Sequence, residues 1–267
     1  MIYIFKKLRR LIIIVMIITA LFFYWGVFSP LRSELQTSLR KEFQRSVTIT
    51  EHNVENTFNR FIEGAESISS RTMIKNKLDQ YLKGEISLNE LKDYTDQKYA
   101  DGAKVLDNIL GAFRIADKKI ITEWGTKDFN EIVQTLELNN KETQITILDE
   151  KLYLIVNSPI IKNGKKLGND IVIYNLKELL SEINSQNIKY NIIYDKNLDK
   201  EKLIMENTIK DFRQLLNTNY WLKAKMPKKD LYNTINSLSI KIIGGFILLL
   251  LPVIIIFYRT LNHTSKE

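Results

Sequence analysis

Two stretches of the chain are apolar at nearly every position, and the residues between them alternate between apolar and polar. Residues 11–28 and 242–258 contain no charged side chain. As helices rising 1.5 Å per residue, they would extend about 25–27 Å, which spans the hydrocarbon core of a bilayer. We therefore predict transmembrane helices at residues 11–28 and 240–258, on either side of one domain at residues 29–239.

The first part of this domain has the period of an amphipathic helix. Apolar residues recur in steps of three or four and predict a long helix over residues 31–83. We expect a kink near Gly64 and a helix end at Gly84, because glycine readily adopts the left-handed conformation of a C′ residue. Ser87 followed by Glu90 fits a capping box and predicts a second helix.

The remainder of the domain, residues 105–230, has the pattern of a sheet with short inserted helices. Period-two alternation and turn residues predict strands at 108–117, 120–125, 144–148, 152–161, 167–174, 190–194 and 220–226. Short helices are predicted at 128–138, 176–183 and 209–216. Asn163-Gly164 is a typical two-residue hairpin turn, Asp128 with Glu131 fits a capping box, and Pro227 begins a last helix leading into the second apolar run.

The net charge of +8 could indicate nucleic-acid binding, but the positions of the charges argue against it. Residues 29–239 carry 32 basic and 30 acidic residues, whereas the first 28 and the last 28 residues together carry seven basic residues and one acidic residue. The excess positive charge therefore flanks the two apolar runs, where a bilayer favours it. We predict the lipid bilayer as a partner and no nucleic acid.

The basic residues before the first apolar run predict the orientation in a bacterial cell membrane. Lys6, Lys7, Arg9 and Arg10 should keep residues 1–10 in the cytoplasm. Two spans then return the tail, residues 259–267, to the cytoplasm and leave the central domain extracellular or periplasmic. A cleavable signal peptide is the alternative for the first run. No small-x-small motif follows that run, which favours an uncleaved anchor.

The sequence lacks the motifs of common catalytic centres, but its strands contain polar residues suited to binding. There is no cysteine, there are two histidines, and no Gly-rich phosphate loop, G-x-S-x-G or H-E-x-x-H occurs. We therefore predict no enzyme activity, no cofactor and no metal site. An arginine can hold a carboxylate in a fork of hydrogen bonds, and tyrosines can wall a pocket. The predicted ligand-binding residues are Arg114, Tyr153, Asn157, Ser158 and Tyr174.

Three stretches, in this order, resemble the extracellular Cache sensor domains of bacterial receptors, which have a PAS-like fold. GAFRIADKKIITEWG (111–125) is similar to their first hairpin, LYLIVNSPIIKNGKKLGNDIVIYNLKELL (152–180) to their central hairpin, and NYWLKAKMPKKDLYNTI (219–235) to their last strand and exit helix. The resemblance implies an α+β fold, with a five-stranded antiparallel sheet and the long N-terminal helix packed alongside. It also implies a small-molecule pocket on the membrane-distal side and a homodimer formed through the long helix.

The chain departs from this family in two respects. It lacks the Arg-x-Trp-Tyr run of amino-acid-binding double-Cache domains, so an amino-acid ligand is not supported. It also has no HAMP, kinase, cyclase or chemotaxis output region after the second apolar run. We therefore expect the output to come from a cytoplasmic or membrane signalling partner, or from a part that this chain does not contain.

The expected function is that of a membrane-anchored extracellular sensor, which binds a small molecule and signals through its transmembrane helices. The alternative is a two-pass membrane scaffold, such as a polysaccharide chain-length regulator, which has the same order of span, outer domain and span. Those regulators contain long helical hairpins, whereas strands predominate in this sequence. A large ring would favour the scaffold, and a dimer would favour the sensor.

Overall fold

Both apolar runs lie in long helices that continue into the predicted domain. The computed structural model describes residues 2–126, 129, 133, 143–148, 151–184, 187–195, 208–216 and 218–264. Helix α1 (Ile2–Phe22) is followed by a six-residue π-helix (Phe23–Phe28) and then by α2 (Ser29–Ser69). The second run lies in the last helix, Lys228–Thr264, which contains Pro252.

These two helices leave their apolar side chains uncovered. Phe22 and Trp25 are 71% and 70% exposed, and Leu248 and Leu249 are 68% and 74% exposed. Segments within Arg10–Ser69 and Lys228–Thr260 are long and apolar enough to cross a membrane. A bilayer is the environment in which apolar surface of this extent is stable. Both predicted apolar helices are therefore present, and each is a candidate membrane span.

The chain forms two units. The first comprises Met1–Val47, Asp199–Asp211 and Lys225–Glu267, and the second comprises Thr48–Leu198 and Phe212–Ala224. Most of the predicted helix at residues 128–138 lies outside the described residues. The second unit contains the sheet with the five predicted ligand-binding residues.

Burial along α2 follows the predicted apolar stripe. The buried positions are spaced by three, four or seven residues and are Phe43, Val47, Val54, Phe58, Phe61, Ala65 and Ile68. The predicted single helix over residues 31–83 is wrong, because α2 continues through Gly64 but ends at Ser69 and a new helix begins at Thr72. A Cβ atom at Gly64 would lie 2.9 Å from the Leu106 side chain. The glycine therefore permits close packing of the Leu106 side chain against α2.

Two shorter helices follow α2, and the end of the first and the beginning of the second are as the sequence predicts. Helix α3 (Thr72–Leu82) ends before Gly84, which has a φ of 77° and donates its N–H to the carbonyl of Tyr81. Helix α4 (Leu88–Lys104) begins with the capping box. The Ser87 hydroxyl accepts a hydrogen bond from the Glu90 N–H, and the Glu90 carboxylate accepts one from the Ser87 N–H.

Replacing Ser87 with alanine removes the acceptor for the Glu90 N–H. We expect Ser87→Ala to lower the free energy of unfolding by about 1 kcal/mol, measured by thermal unfolding of the full chain in nanodiscs. Ser87→Thr keeps a hydroxyl and should retain most of this stability. Equal losses in both variants would show that the capping hydrogen bond does not stabilise α4.

Five strands form one antiparallel sheet in the order β2-β1-β5-β4-β3. They are β1 (Ile109–Ala116), β2 (Lys119–Gly125), β3 (Thr143–Leu148), β4 (Lys151–Lys162) and β5 (Lys165–Asn175). The turns Asp117-Lys118 and Asn163-Gly164 have positive φ at both residues, as a type I′ hairpin turn requires. The five-stranded antiparallel sheet expected from the sequence is confirmed.

A second sheet has three strands in the order β6-β8-β7, which are β6 (Lys189–Tyr194), β7 (Thr208–Gln214) and β8 (Tyr220–Pro227). Helix α5 (Lys177–Ile183) precedes this sheet, and α6 (Lys228–Thr264) follows it directly. The predicted helix at residues 209–216 is wrong, because most of that segment forms β7. Ile209, Phe212 and Leu216 fit a helical period, but strand pairing decides the conformation of so short a segment.

Candidate ligand-binding site

Three of the five predicted ligand-binding residues lie on one face of the five-stranded sheet. Arg114 is paired with Asp170, and Asp170 with Ser158, so the three form one row across β1, β5 and β4. Paired residues point to the same side of a sheet, and side chains along a strand alternate between sides. Tyr174, four residues from Asp170, therefore points to this side too. We call it face A.

On face A the guanidinium group of Arg114 binds a carboxylate of the same chain. Its Nε donates to Oδ1 of Asp170 at 2.8 Å, and its Nη2 donates to Oδ2 at 2.6 Å. The side chains of Arg114 and Asp170 are only 1% and 0% exposed. The Tyr99 hydroxyl of α4 also donates to Asp170 Oδ1, and Arg114 donates to the Ile68 carbonyl of α2. Arg114 thus forms the expected pair of hydrogen bonds with a carboxylate, and that carboxylate belongs to Asp170.

The charges of this cluster are stabilised by each other rather than by water. Burial acts to lower the pKa of Arg114, but the attraction and hydrogen bonds of Asp170 outweigh burial and raise the pKa above its ordinary value. Burial and the neighbouring Asp170 carboxylate raise the pKa of Tyr99 well above its usual range. Arg114 therefore stays charged, and Tyr99 stays a neutral hydrogen-bond donor. The cluster joins α2 and α4 to the sheet.

The other two predicted residues on face A contact α2. The Ser69 hydroxyl donates to Ser158 Oγ at 3.4 Å. The Tyr174 hydroxyl donates to the Phe61 carbonyl at 2.9 Å, and the two rings stack with centroids 4.3 Å apart. Ser158 and Asn157 line a cavity of about 280 Å³, whereas Tyr174 lines a different cavity of about 450 Å³. Residues of α2 form part of both cavities.

The opposite side of the sheet, face B, carries an apolar cluster. Tyr153 and Asn157 lie at odd intervals from Ser158 along β4 and therefore point to face B. Tyr153 packs edge to face against Phe129, with centroids 5.3 Å apart. The buried residues of the cluster are Phe113, Ile115, Phe129, Val133, Tyr153, Ile155, Ile171 and Ile173.

Two asparagines with buried side-chain oxygens border this apolar cluster. Asn157 is paired with Ile171, and Asn169 with Pro159. The asparagines are therefore diagonal neighbours on face B, about 7–8 Å apart. Among the described residues, Oδ1 of each asparagine is buried without a partner. Leaving a buried acceptor unsatisfied costs about 1–3 kcal/mol, so this pair requires an explanation.

Asn169 is not among the residues predicted from the sequence, although the pattern of β5 contained the signal. Asn169, Ile171 and Ile173 occupy alternate positions of one strand and are all buried. A polar residue within such a series stands out by the period of two. The structure thus places Tyr153 and Asn157 on the same face of the sheet as a sixth residue, Asn169, while Asn157 also lines a cavity with Ser158. A ligand contact by any of these residues stays a prediction.

Solved structures with a similar fold are sensor domains of bacterial receptors. The sensor domain of the V. cholerae histidine kinase DctB matches with a TM-score of 0.54 at 10% identity, over 73% of this chain and 98% of that one. The sensory domain of the Campylobacter jejuni chemoreceptor Tlp3 matches with 0.51 at 12% identity, over 76% and 98%. The ligand-binding domain of Tlp3 in complex with L-norvaline matches with 0.50 at 11% identity, over 74% and 94%.

No protein-family model matches the sequence, and no curated protein matches it. The structural matches nevertheless show the fold, which is that of the extracellular Cache, or PAS-like, sensor domains. The resemblance found in the sequence and the α+β fold class are confirmed. The scaffold alternative is associated with long helical hairpins, whereas the described part of the chain has eight strands in two sheets.

Proposed function

We propose that the chain is a membrane-anchored extracellular sensor that binds a small molecule on face B. The observation that carries this proposal is the pair of Asn157 and Asn169 oxygens beside the apolar cluster, which are buried and accept no hydrogen bond from the part of the chain that the structure describes. A ligand with N–H or O–H groups would satisfy both oxygens, and its apolar part would contact the neighbouring isoleucines and Tyr153. The ligand class is therefore a small amphipathic molecule with hydrogen-bond donors.

Helix continuity supports the proposal that ligand binding is signalled through the membrane. The first candidate span continues into α2 through a π-helix, and α6, with the second candidate span, begins directly after β8. Each connection lacks a flexible linker, so a ligand that favours one arrangement of the domain would shift both spans. In this proposal both termini are cytoplasmic, the domain lies outside, and the chain dimerises through α2. A cytoplasmic or membrane partner receives the signal.

A thermal-shift screen of the full chain in nanodiscs tests ligand binding. The library contains hydroxy acids, amides, amines and sugars. A ligand at 100 times its Kd adds about 2.7 kcal/mol to the free energy of unfolding, which raises the melting temperature by roughly 5–10 °C. Asn157→Leu should abolish the shift, whereas Asn89→Ala, at an exposed position of α4, should retain it. A library without any stabilising compound, or an undiminished shift in Asn157→Leu, would contradict the proposal.

A further inference from the structure

A cavity of about 450 Å³ on the side of face A has no role in the proposed sensor site. Four segments surround it: α2, the turn between α4 and β1, the end of β5, and α5. Its volume lies in the range of small-molecule pockets. We propose that this cavity binds a small organic cation, with one or more ammonium groups on a short apolar chain, at a site distinct from face B.

The inner wall of the cavity suits the apolar part of such a compound. Phe61, Tyr174 and Leu179 line it and are buried. The Tyr174 hydroxyl is already engaged by the Phe61 carbonyl, so this wall offers its rings and aliphatic groups. Val105, also a lining residue, is 73% exposed and provides apolar surface where the cavity opens. A short alkyl chain fits this wall because both surfaces are removed from water.

The charges of the exposed lining residues favour a positively charged ligand. Asp107, Glu178 and Glu182 contribute three carboxylates, and Arg60 contributes one guanidinium group. None of the three carboxylates forms an ion pair with a described residue. An Nη of Arg60 donates to Thr57, one turn away on the same helix. The opening therefore has an excess of two negative charges, which attracts cations and repels anions.

Helix α5 places two of these carboxylates four residues apart, on one side of a seven-residue helix. Like charges at this spacing destabilise a helix. An ammonium group located between Glu178 and Glu182 would remove the repulsion and form charge-assisted hydrogen bonds with both. A bound cation would also contact Thr57 and Phe61 of α2. The site would therefore act on the helix that continues into the first candidate span.

The test uses cadaverine as the probe and the full chain in nanodiscs of phosphatidylcholine, a lipid without net charge. Isothermal titration should show saturable binding of cadaverine. Glu178→Gln/Glu182→Gln removes both negative charges of α5 at exposed positions and should weaken cadaverine binding at least tenfold. Asp93→Asn/Asp96→Asn changes the net charge equally on α4, at exposed positions outside the cavity, and should leave the affinity unchanged. Circular dichroism and melting temperatures verify that both variants fold.

Two further ligands define the results that would overturn this inference. Pentane-1,5-diol has the same chain without charge, and its binding with similar affinity would show an apolar cavity without cation selectivity. Magnesium ions that bind equally well would show attraction of any cation rather than a site for an organic one. Absence of cadaverine binding, or equal weakening in both double variants, would overturn the proposal as well. None of these results depends on the ligand of face B.

Discussion

Asp170→Ala is expected to lower the free energy of unfolding by about 3–5 kcal/mol. The substitution leaves the Arg114 guanidinium buried, without the carboxylate that now binds it through two hydrogen bonds. The unpaired charge would lie away from bulk water, because the Arg114 side chain is 1% exposed. Thermal unfolding of the full chain in nanodiscs should show a fall of the melting temperature by roughly 10 °C.

Two controls separate the effect of an unpaired charge from the effect of a lost side chain. Arg114→Met/Asp170→Leu removes both charges and should recover most of the stability, since apolar residues of similar size can replace a buried ion pair at little cost. Asp101→Ala breaks an exposed pair with Lys104 and should leave the melting temperature unchanged. If the double variant is as unstable as Asp170→Ala, the uncompensated charge is not the cause.

The elements with strong local signals were predictable from the sequence alone. The stripe of α2, the capping box at Ser87 and the turn at Asn163-Gly164 depend on residues close to each other in the chain. Strand β7 was not predictable, because a segment of seven residues fits both periods and its pairing with β8 decides between them. Local pattern therefore suffices where neighbours in sequence determine the conformation, and fails where distant strands do.

The arrangement of the candidate site could likewise be predicted only where it depends on neighbours in the sequence. The period of two could have separated Asn157 from Ser158, since adjacent strand residues point to opposite faces. The partner of Arg114 could not be found in this way, because Asp170 lies 56 residues further along the chain. Only the register of β1 with β5 brings the two together. An arginine within an apolar strand thus indicates a carboxylate partner, but it does not indicate whether that partner is a ligand or the protein itself.

Asn169→Leu should reduce the affinity for the ligand identified in the screen at least tenfold without loss of stability. The Asn169 side chain is 3% exposed, and its Oδ1 has no hydrogen-bond partner among the described residues. Leucine has a similar size and carries no polar atom, so the melting temperature should stay the same or rise. Thr122→Val is the matched control. Its Oγ1 is also buried and has no hydrogen-bond partner in the part of the chain that the structure describes, but Thr122 is paired with Arg114 and therefore points to face A.

If face B binds the ligand, both variants should keep or gain stability, and only Asn169→Leu should lose affinity. Titration calorimetry of the full chain in nanodiscs measures the affinity, and thermal unfolding without ligand measures the stability. A loss of stability in Asn169→Leu together with unchanged affinity would show that the amide is structural. An equal loss of affinity in Thr122→Val would place the ligand on face A. The unsatisfied oxygens of face B are a stability cost in the absence of ligand, and the ligand's donors would offset that cost.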